Sequence, residues 1–386
     1  MSELLPSELR QMYKTRVIDS VAQFSSLERG WDKLLPHSKN PTVFNTSAWA
    51  SCWLQIYWQP DYTLQIIVVE AGDDIVALLP LYIQRQSGTC WFVGSGEPEA
   101  EEVASEYLDF IVHEDHANSA ALASCITAQL DTLKKYRLQF VNCCASSYVV
   151  NFLRNHRRAL HAVVGNVYKL PIKQDFAATS LRFSKNQQKK ARQCLNRFNA
   201  APDLEYVSFH DTAFEESWHS LQTLHQQDWT SRGKAGAFHS GKFSNFHALM
   251  HSEYPQIKQA FVELKQQDAT LAIHHFYILG ASYYFYLAGT EKKREARLSP
   301  GLMLHALTMQ DLSGQEVIYD FLKGATGNSS YKAKFCGSGE PFYDITVFED
   351  SARGVYRYWL TRLKNHVRKM RSANTTHKRS REEGQD

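Results

Sequence analysis

One order of elements occurs twice along this chain, and that order limits the folds open to it more than any other feature. In the first half, a β-branched run at 63–70, a turn at 71–74 and a second apolar run at 75–83 read as a hairpin. A strand at 90–93, an acidic loop at 97–106, a short run at 107–112, a helix around 120–135 and a strand at 138–143 follow. In the second half the same types recur: strand 260–265, turn 266–268, strands 270–278 and 282–288, helix 300–312 and strand 317–322. The two turns lie about 195 residues apart, as do Phe92-Val93-Gly94 and Leu287-Ala288-Gly289. The offset falls to about 180 between 138–141 and 318–321, because the first copy has the longer loop. The pattern predicts a degenerate duplication of class α/β (α+β), each copy a mixed sheet flanked by helices; two unrelated α/β domains are the competing arrangement.

The chain's 386 residues allow two or three domains. The expected division is an N-terminal segment 1–20, a first domain 21–178, a second domain 179–350 and a helical, basic, disordered tail 351–386. Lys and Arg number 43 against 40 Asp and Glu, yet residues 361–386 hold eight basic side chains against three acids. The body therefore has no global field to attract nucleic acid, and the tail carries the excess. No apolar leader opens the chain, and the most apolar stretch, 64–83, is interrupted by Glu70, Asp73 and Asp74, so neither secretion nor a membrane span is expected. Seven cysteines without CxxC spacing argue for a reducing cytoplasm. The absence of Gly-x-Ser-x-Gly, Walker, HExxH and Gly-x-Gly-x-x-Gly motifs removes most support for hydrolase, NTPase and dinucleotide readings.

Five segments bear on chemistry. At 47–57, Trp49, Cys52, Trp53, Ile56 and Tyr57 share a helical face behind the cap candidates Asn45, Thr46 and Ser47. At 181–198, Phe183, Cys194, Leu195 and Phe198 form the apolar side of a basic helix whose Lys185, Lys189, Lys190, Arg192 and Arg197 stay wet; a solvated face and a surface for an anionic partner both fit. Strand 282–290 runs through a charged loop to Ser299-Pro300-Gly301, where Ser299 is the expected N-cap and the free amides of a helix start can hold an anion such as the pyrophosphate of coenzyme A. Asp320 interrupts an apolar strand and must be paired, with Lys323, Lys332 or Lys334 as candidates, either as a core ion pair or as an acid/base cluster with Tyr331. His225 and Trp229, four apart on a helix, share a face ahead of Arg232-Gly233-Lys234, and His225 is either a core histidine or a general base. His274 and His275 point to opposite sides of a strand and cannot chelate one ion, so no metal site is expected.

At these residues the sequence resembles the GNAT superfamily of N-acyltransferases, specifically the CelD/BcsL-type, BioF-like acetyltransferase group related to Fem-type aminoacyl transferases. The resemblance covers about residues 31–348. It rests on Trp31 with Leu34, 41–53, Leu78-Leu79-Pro80-Leu81, Glu106-Tyr107-Leu108-Asp109, 183–185 through Arg197, Trp229 with Gly233, Ser299-Pro300-Gly301, Asp320-Phe321-Leu322-Lys323-Gly324 and Tyr331-Lys332. It implies two tandem acyltransferase folds with the active cleft between them, and acetyl-CoA or another acyl-CoA as co-substrate without a metal. Carried over by position, the donor would meet Tyr284, Tyr286, Ala288, Arg297, Ser299 and Gly301; Arg297-Leu-Ser-Pro-Gly301 is a reduced form of the superfamily's phosphate loop.

Direct transfer to an acceptor amine or hydroxyl is the implied reaction. Asp320 or His225 would be the base, Tyr331 a proton donor to the leaving sulfur and Lys332 an electrostatic clamp, with Asp109, Trp229 and Arg232 toward the acceptor. A cell-envelope or exopolysaccharide sugar is the acceptor class that the resemblance suggests. Two other readings remain: an aminoacyl-tRNA-dependent transferase, in which the basic helix and tail bind RNA, and a non-catalytic scaffold of a polysaccharide-synthesis complex.

Overall fold

The computed structural model describes residues 13–210, 214–231, 233, 236–292, 298–325 and 330–364. The first half supplies strands β1 (Lys14–Ile18), β2 (Tyr62–Ala71), β3 (Asp74–Gln84), β4 (Thr89–Phe92), β5 (Ile111–Val112), β6 (Arg137–Cys144) and β7 (Ala159–Ile172). The second supplies β8 (Leu204–His210), β9 (Lys258–Gln266), β10 (Ala269–Leu279), β11 (Ser282–Thr290), β12 (Val317–Gly324) and β13 (Glu340–Val347). Helices α1 (Val21–Leu34), α2 (Ser47–Tyr57), α3 (Ala120–Thr132) and α4 (Tyr148–Phe152) belong to the first half. Helices α5 (Phe176–Ser180), α6 (Lys185–Asn199), α7 (Phe214–Ser231), α8 (Gly241–Glu253), α9 (Pro300–Asp311), α10 (Ala333–Cys336) and α11 (352–364) complete the set.

All the strands join one mixed sheet in the order β1-β2-β3-β4-β6-β13-β7-β12-β11-β10-β9-β8, with β5 on β3. The order is symmetric about its centre. Each half runs from an outer antiparallel hairpin to one parallel pair, β4 with β6 and β11 with β12. Each then gives its last strand to the other half: β13 pairs with β6, β7 pairs with β12, and β7 and β13 pair antiparallel between them. The duplication expected from the sequence is present as this pseudo-twofold sheet, which does not part at residue 178.

The expected hairpins, the parallel strands and the helices between them form within one to three residues of their anticipated ends. Thr46 is the cap of α2, its hydroxyl accepting from Trp49 N at 3.1 Å. In α6 the five basic side chains are exposed while Cys194 and, just ahead of the helix, Phe183 are buried. β1, β7, β8 and β13 had no counterpart in the sequence reading. The 107–112 run is strand only over Ile111–Val112; Tyr107 adopts φ 57°, which turns the chain inward instead of extending it.

The halves share one hydrophobic body. Trp49 of α2 packs edge-on against Phe246 (centroids 4.7 Å apart) and Tyr277 (5.4 Å) of the second half, and Phe44 meets Tyr284 at 5.9 Å. Since Trp49 is fully buried, Trp49→Ala should cost about 3–5 kcal/mol and lower the stability of both halves together. Denaturant unfolding followed by tryptophan fluorescence and far-UV circular dichroism checks this: coincident single transitions are expected, displaced equally in the variant.

Candidate functional site

Two bulges sit at the centre of the sheet, 180 residues apart. Asn142 in β6 and Leu322 in β12 both adopt left-handed φ, 53° and 60°, and strand pairing slips beside each. A carboxylate holds each one: Asp344 Oδ1 accepts from Asn142 N at 3.0 Å, and Asp320 Oδ1 accepts from Leu322 N at 2.8 Å. Lys323 Nζ donates to Asn142 Oδ1, so the two bulges are tied directly across the seam.

The acidic loop of the first half reaches this seam. Tyr107 donates its hydroxyl to Asp320 Oδ2 at 2.6 Å, and Glu106 Oε2 accepts from Lys323 N at 2.7 Å. The ammonium of Lys169, on β7, lies 4.6 Å from the centre of the Tyr107 ring. Lys332 Nζ donates to the carbonyls of Phe321 and Lys323 on β12. The sequence reading paired Asp320 with Lys323, Lys332 or Lys334; its hydrogen bonds run instead to Tyr107 and Leu322, while Lys332 acts on it through space and Lys334 is exposed. Burial raises the Asp320 carboxyl above its ordinary range, against the pull of Lys169, Tyr107, the Leu322 amide and Lys332. Burial likewise pushes Glu106 up to about 7, against Lys332 and Lys323, and lowers the Lys332 ammonium.

Beside this cluster opens a cavity of about 560 Å³. One wall is the acidic loop, with Glu99, Ala100, Glu102 and Ala104; the other is α7 and β11, with His225, Trp229, Tyr286 and Leu287, and Phe243 of α8 adds to it. Consecutive strand residues normally face opposite sides, but β11 slips register against β10 at Tyr286, so Tyr286 and Leu287 both line the cavity. The Tyr286 hydroxyl donates to the Val103 carbonyl and fastens the acidic loop to β11. Helix α7 lies close against β11 because Gly289 has no side chain: a Cβ there would stand 2.7 Å from Leu224 Cβ. That approach brings His225 Nδ1 to 3.0 Å from the Ala288 carbonyl. A carbonyl only accepts, so Nδ1 carries hydrogen and Nε2 is the basic nitrogen of neutral His225.

The expected site residues thus divide. His225, Trp229 and Tyr286 come together at the cavity, and Ala288 holds His225 by its carbonyl. Asp320 and Lys332 join the seam cluster. Tyr284 is buried between Phe44 and Tyr107. Tyr331 is half-exposed near His305, and neither it nor Ser299 and Gly301 is among the described residues lining the cavity. Ser299 precedes α9 as expected but adopts φ 52°, and its hydroxyl does not cap the helix; Pro300 is the first helical residue and Gly301 leaves room for Thr290 Oγ1, which would stand 3.2 Å from a Cβ. Asp109 is buried and accepts from the amides of Phe110, Tyr148 and Val149, anchoring the start of α4. Arg232 and Arg297 lie outside the described residues. Glu106, Tyr107 and Lys169 were not anticipated as site residues: the first two stood within the Glu106-Tyr107-Leu108-Asp109 motif, while nothing near Lys169 marked it. Among the described residues no cluster of His, Cys, Asp and Glu is arranged to hold a metal ion, and no helix is long and apolar enough to cross a membrane.

Residues 185–333 match the model of the acetyltransferase (GNAT) domain. No curated protein matches the chain in sequence. The solved structure of FemX resembles it with a TM-score of 0.58 at 11% identity, over 86% of this chain and 96% of that one. L-PGS from Bacillus licheniformis reaches 0.51 at 12% identity, over 87% and 96%. A conserved protein of unknown function from Bacteroides thetaiotaomicron VPI-5482 reaches 0.51 at 11%, over 86% and 100%. At such identities the likeness is one of fold. Residues 185–333 of the second half thus resemble a GNAT-type acetyltransferase domain, and the chain as a whole shares its fold with FemX.

Two outcomes follow from the seam. Tyr107→Phe strips a hydrogen bond from the buried Asp320 and should cost about 1–3 kcal/mol in denaturant unfolding. Glu106 titrates near 4.5 when unfolded and about 7 when folded, so the unfolded chain binds fewer protons in that window and stability falls as pH rises from about 4.5 to 7. Glu106→Gln should flatten this slope in part in a pH series of unfolding midpoints, since burial also pushes Asp109 and Glu97 up to about 7 and both contribute to it.

Proposed function

We propose that the protein is an acyl-CoA-dependent N-acyltransferase whose reaction takes place in the cavity between the acidic loop and the second half. One observation carries the reading: Tyr286, Leu287 and His225 face a common cavity at the point where β11 leaves β12. The two strands pair only from Ser282 with Ile318 to Tyr284 with Asp320, and the splay beyond is the place for a pantetheine arm, with the thioester toward Tyr286 and the pyrophosphate toward Ser299 to Gly301. The GNAT match over residues 185–333 supports the same half as the donor side.

Glu99 and Glu102 on the acceptor wall favour a cationic group, so an amine is preferred to a hydroxyl. The amine loses a proton to His225 Nε2, its nitrogen bonds to the thioester carbonyl carbon, the C–S bond breaks, and the thiolate takes up a proton. Positioning supplies much of the acceleration, on the order of 7–11 kcal/mol for a well-oriented pair. Asp320 and Lys332, set behind the cavity, hold the β12 bulge and the loop that shape it. A cell-envelope or exopolysaccharide amino sugar in the cytoplasm is the acceptor class we favour.

Exposed Lys185, Lys189, Lys190 and Arg192 on α6 support a second reading, an aminoacyl-tRNA donor. Thermal melting with acetyl-CoA, longer acyl-CoAs and aminoacyl-tRNA separates the two, because a ligand that binds the folded form raises the midpoint. A rise with acyl-CoA that Gly301→Trp abolishes is expected; a rise with aminoacyl-tRNA alone would replace the first reading by the second. With an amine acceptor in hand, His225→Ala should lower kcat by about 10²- to 10⁴-fold when assayed below its melting midpoint, beyond a loss of about 1–3 kcal/mol in stability from the Ala288 carbonyl left unpaired.

A further inference from the structure

The last described helix wears its apolar side outward. Ser351 starts α11, its hydroxyl accepting from Gly354 N at 3.0 Å and its carbonyl from Val355 N at 2.9 Å. Gly354 is buried against the body, where a Cβ would stand 2.0 Å from the Glu349 carbonyl oxygen. Arg357 pairs with Glu349 at 3.1 Å, and Tyr358 meets Phe348 at 5.9 Å, so this side faces the protein. At about 100° per residue, Val355, Trp359, Leu363, Tyr356 and Leu360 occupy one continuous arc of about 140°, centred opposite Gly354. Those five side chains are exposed, Tyr356, Trp359 and Leu363 by 66%, 59% and 61%. An ordinary surface helix buries such a stripe; here nothing in the chain's described part covers it.

Charge decides what does. Arg353 and Lys364 border one side of the stripe and Arg362 the other, all exposed, with the Arg362 guanidinium 5.3 Å from the Trp359 ring. Over residues 352–381 the sequence has ten Lys and Arg and no Asp or Glu. A second copy on this face would bring two such segments together and repel. A polyanion such as RNA would meet the cations but leave the stripe in water. An anionic bilayer surface satisfies both, taking Trp, Tyr, Leu and Val into the headgroup boundary and the cations onto lipid phosphates. We infer that α11 docks this protein on anionic membranes, with the helix lying in the interface plane. The inference stands apart from the acyl-transfer reading, since α11 supplies no residue to the cavity.

Co-sedimentation of the full chain with vesicles of phosphatidylcholine alone, or of equal parts phosphatidylcholine and phosphatidylglycerol, tests it. Binding to the anionic vesicles is expected, at least about tenfold weaker on neutral ones. It should also be at least about tenfold weaker for Trp359→Ser/Leu363→Ser, at an unchanged melting midpoint since both side chains point to solvent. Failure of the wild type to bind anionic vesicles would overturn the proposal. So would equal binding by the double variant, which would assign the contact to charge alone, with RNA then the better partner. A wild-type dimer in light scattering that the double variant dissolves, without vesicle binding, would assign the face to a second copy instead.

Discussion

Everything at the centre of this molecule depends on the antiparallel pairing of β7 with β13. Each is the closing strand of its own half, yet each completes the other half's sheet, so neither half has a finished edge or core by itself. An unpaired strand edge inside a protein leaves a row of amides and carbonyls without partners, and the exchange removes that cost for both halves at once. It also fixes the distance between the two parallel pairs, and with it the separation of the Asn142 and Leu322 bulges that Lys323 links.

That arrangement makes the candidate site a joint product. The acidic loop enters from the first half and is fastened by Tyr286 on Val103, by Tyr107 on Asp320, by Glu106 on the Lys323 amide and by Lys242 on Glu101. The second half supplies the cavity's other wall. Buried carboxyl groups at such a seam are tolerated because each accepts from N–H or O–H groups and lies near a lysine, while burial holds Asp320 and Glu106 toward their neutral forms. The likeness to FemX and L-PGS shows that this double fold recurs at about a tenth sequence identity.

A part of the candidate site was legible in local sequence. His225 and Trp229 four apart had to share a helical face, and Asp320 in an apolar strand had to find partners. Which partners could not be read: three lysines stood within fourteen residues of Asp320, but the bond goes to Tyr107, 213 residues away. The bulge at Tyr286 was equally silent, because a slip in register depends on the neighbouring strand and leaves no mark on a run of Tyr, Phe and Leu.

The sequence by itself determined the local units. Period-two runs and turns produced the hairpins, Thr46 set the start of α2, Pro300 the start of α9, and the repeated order foretold two copies of one fold. These outcomes rest on interactions within a few residues, which composition and spacing encode directly. Only the tertiary structure decided that β7 and β13 change places, that the acidic loop crosses to the other half, and that α11 turns its apolar stripe to solvent. Those outcomes rest on contacts between segments far apart in the chain, where many pairings satisfy the same local pattern and packing selects one.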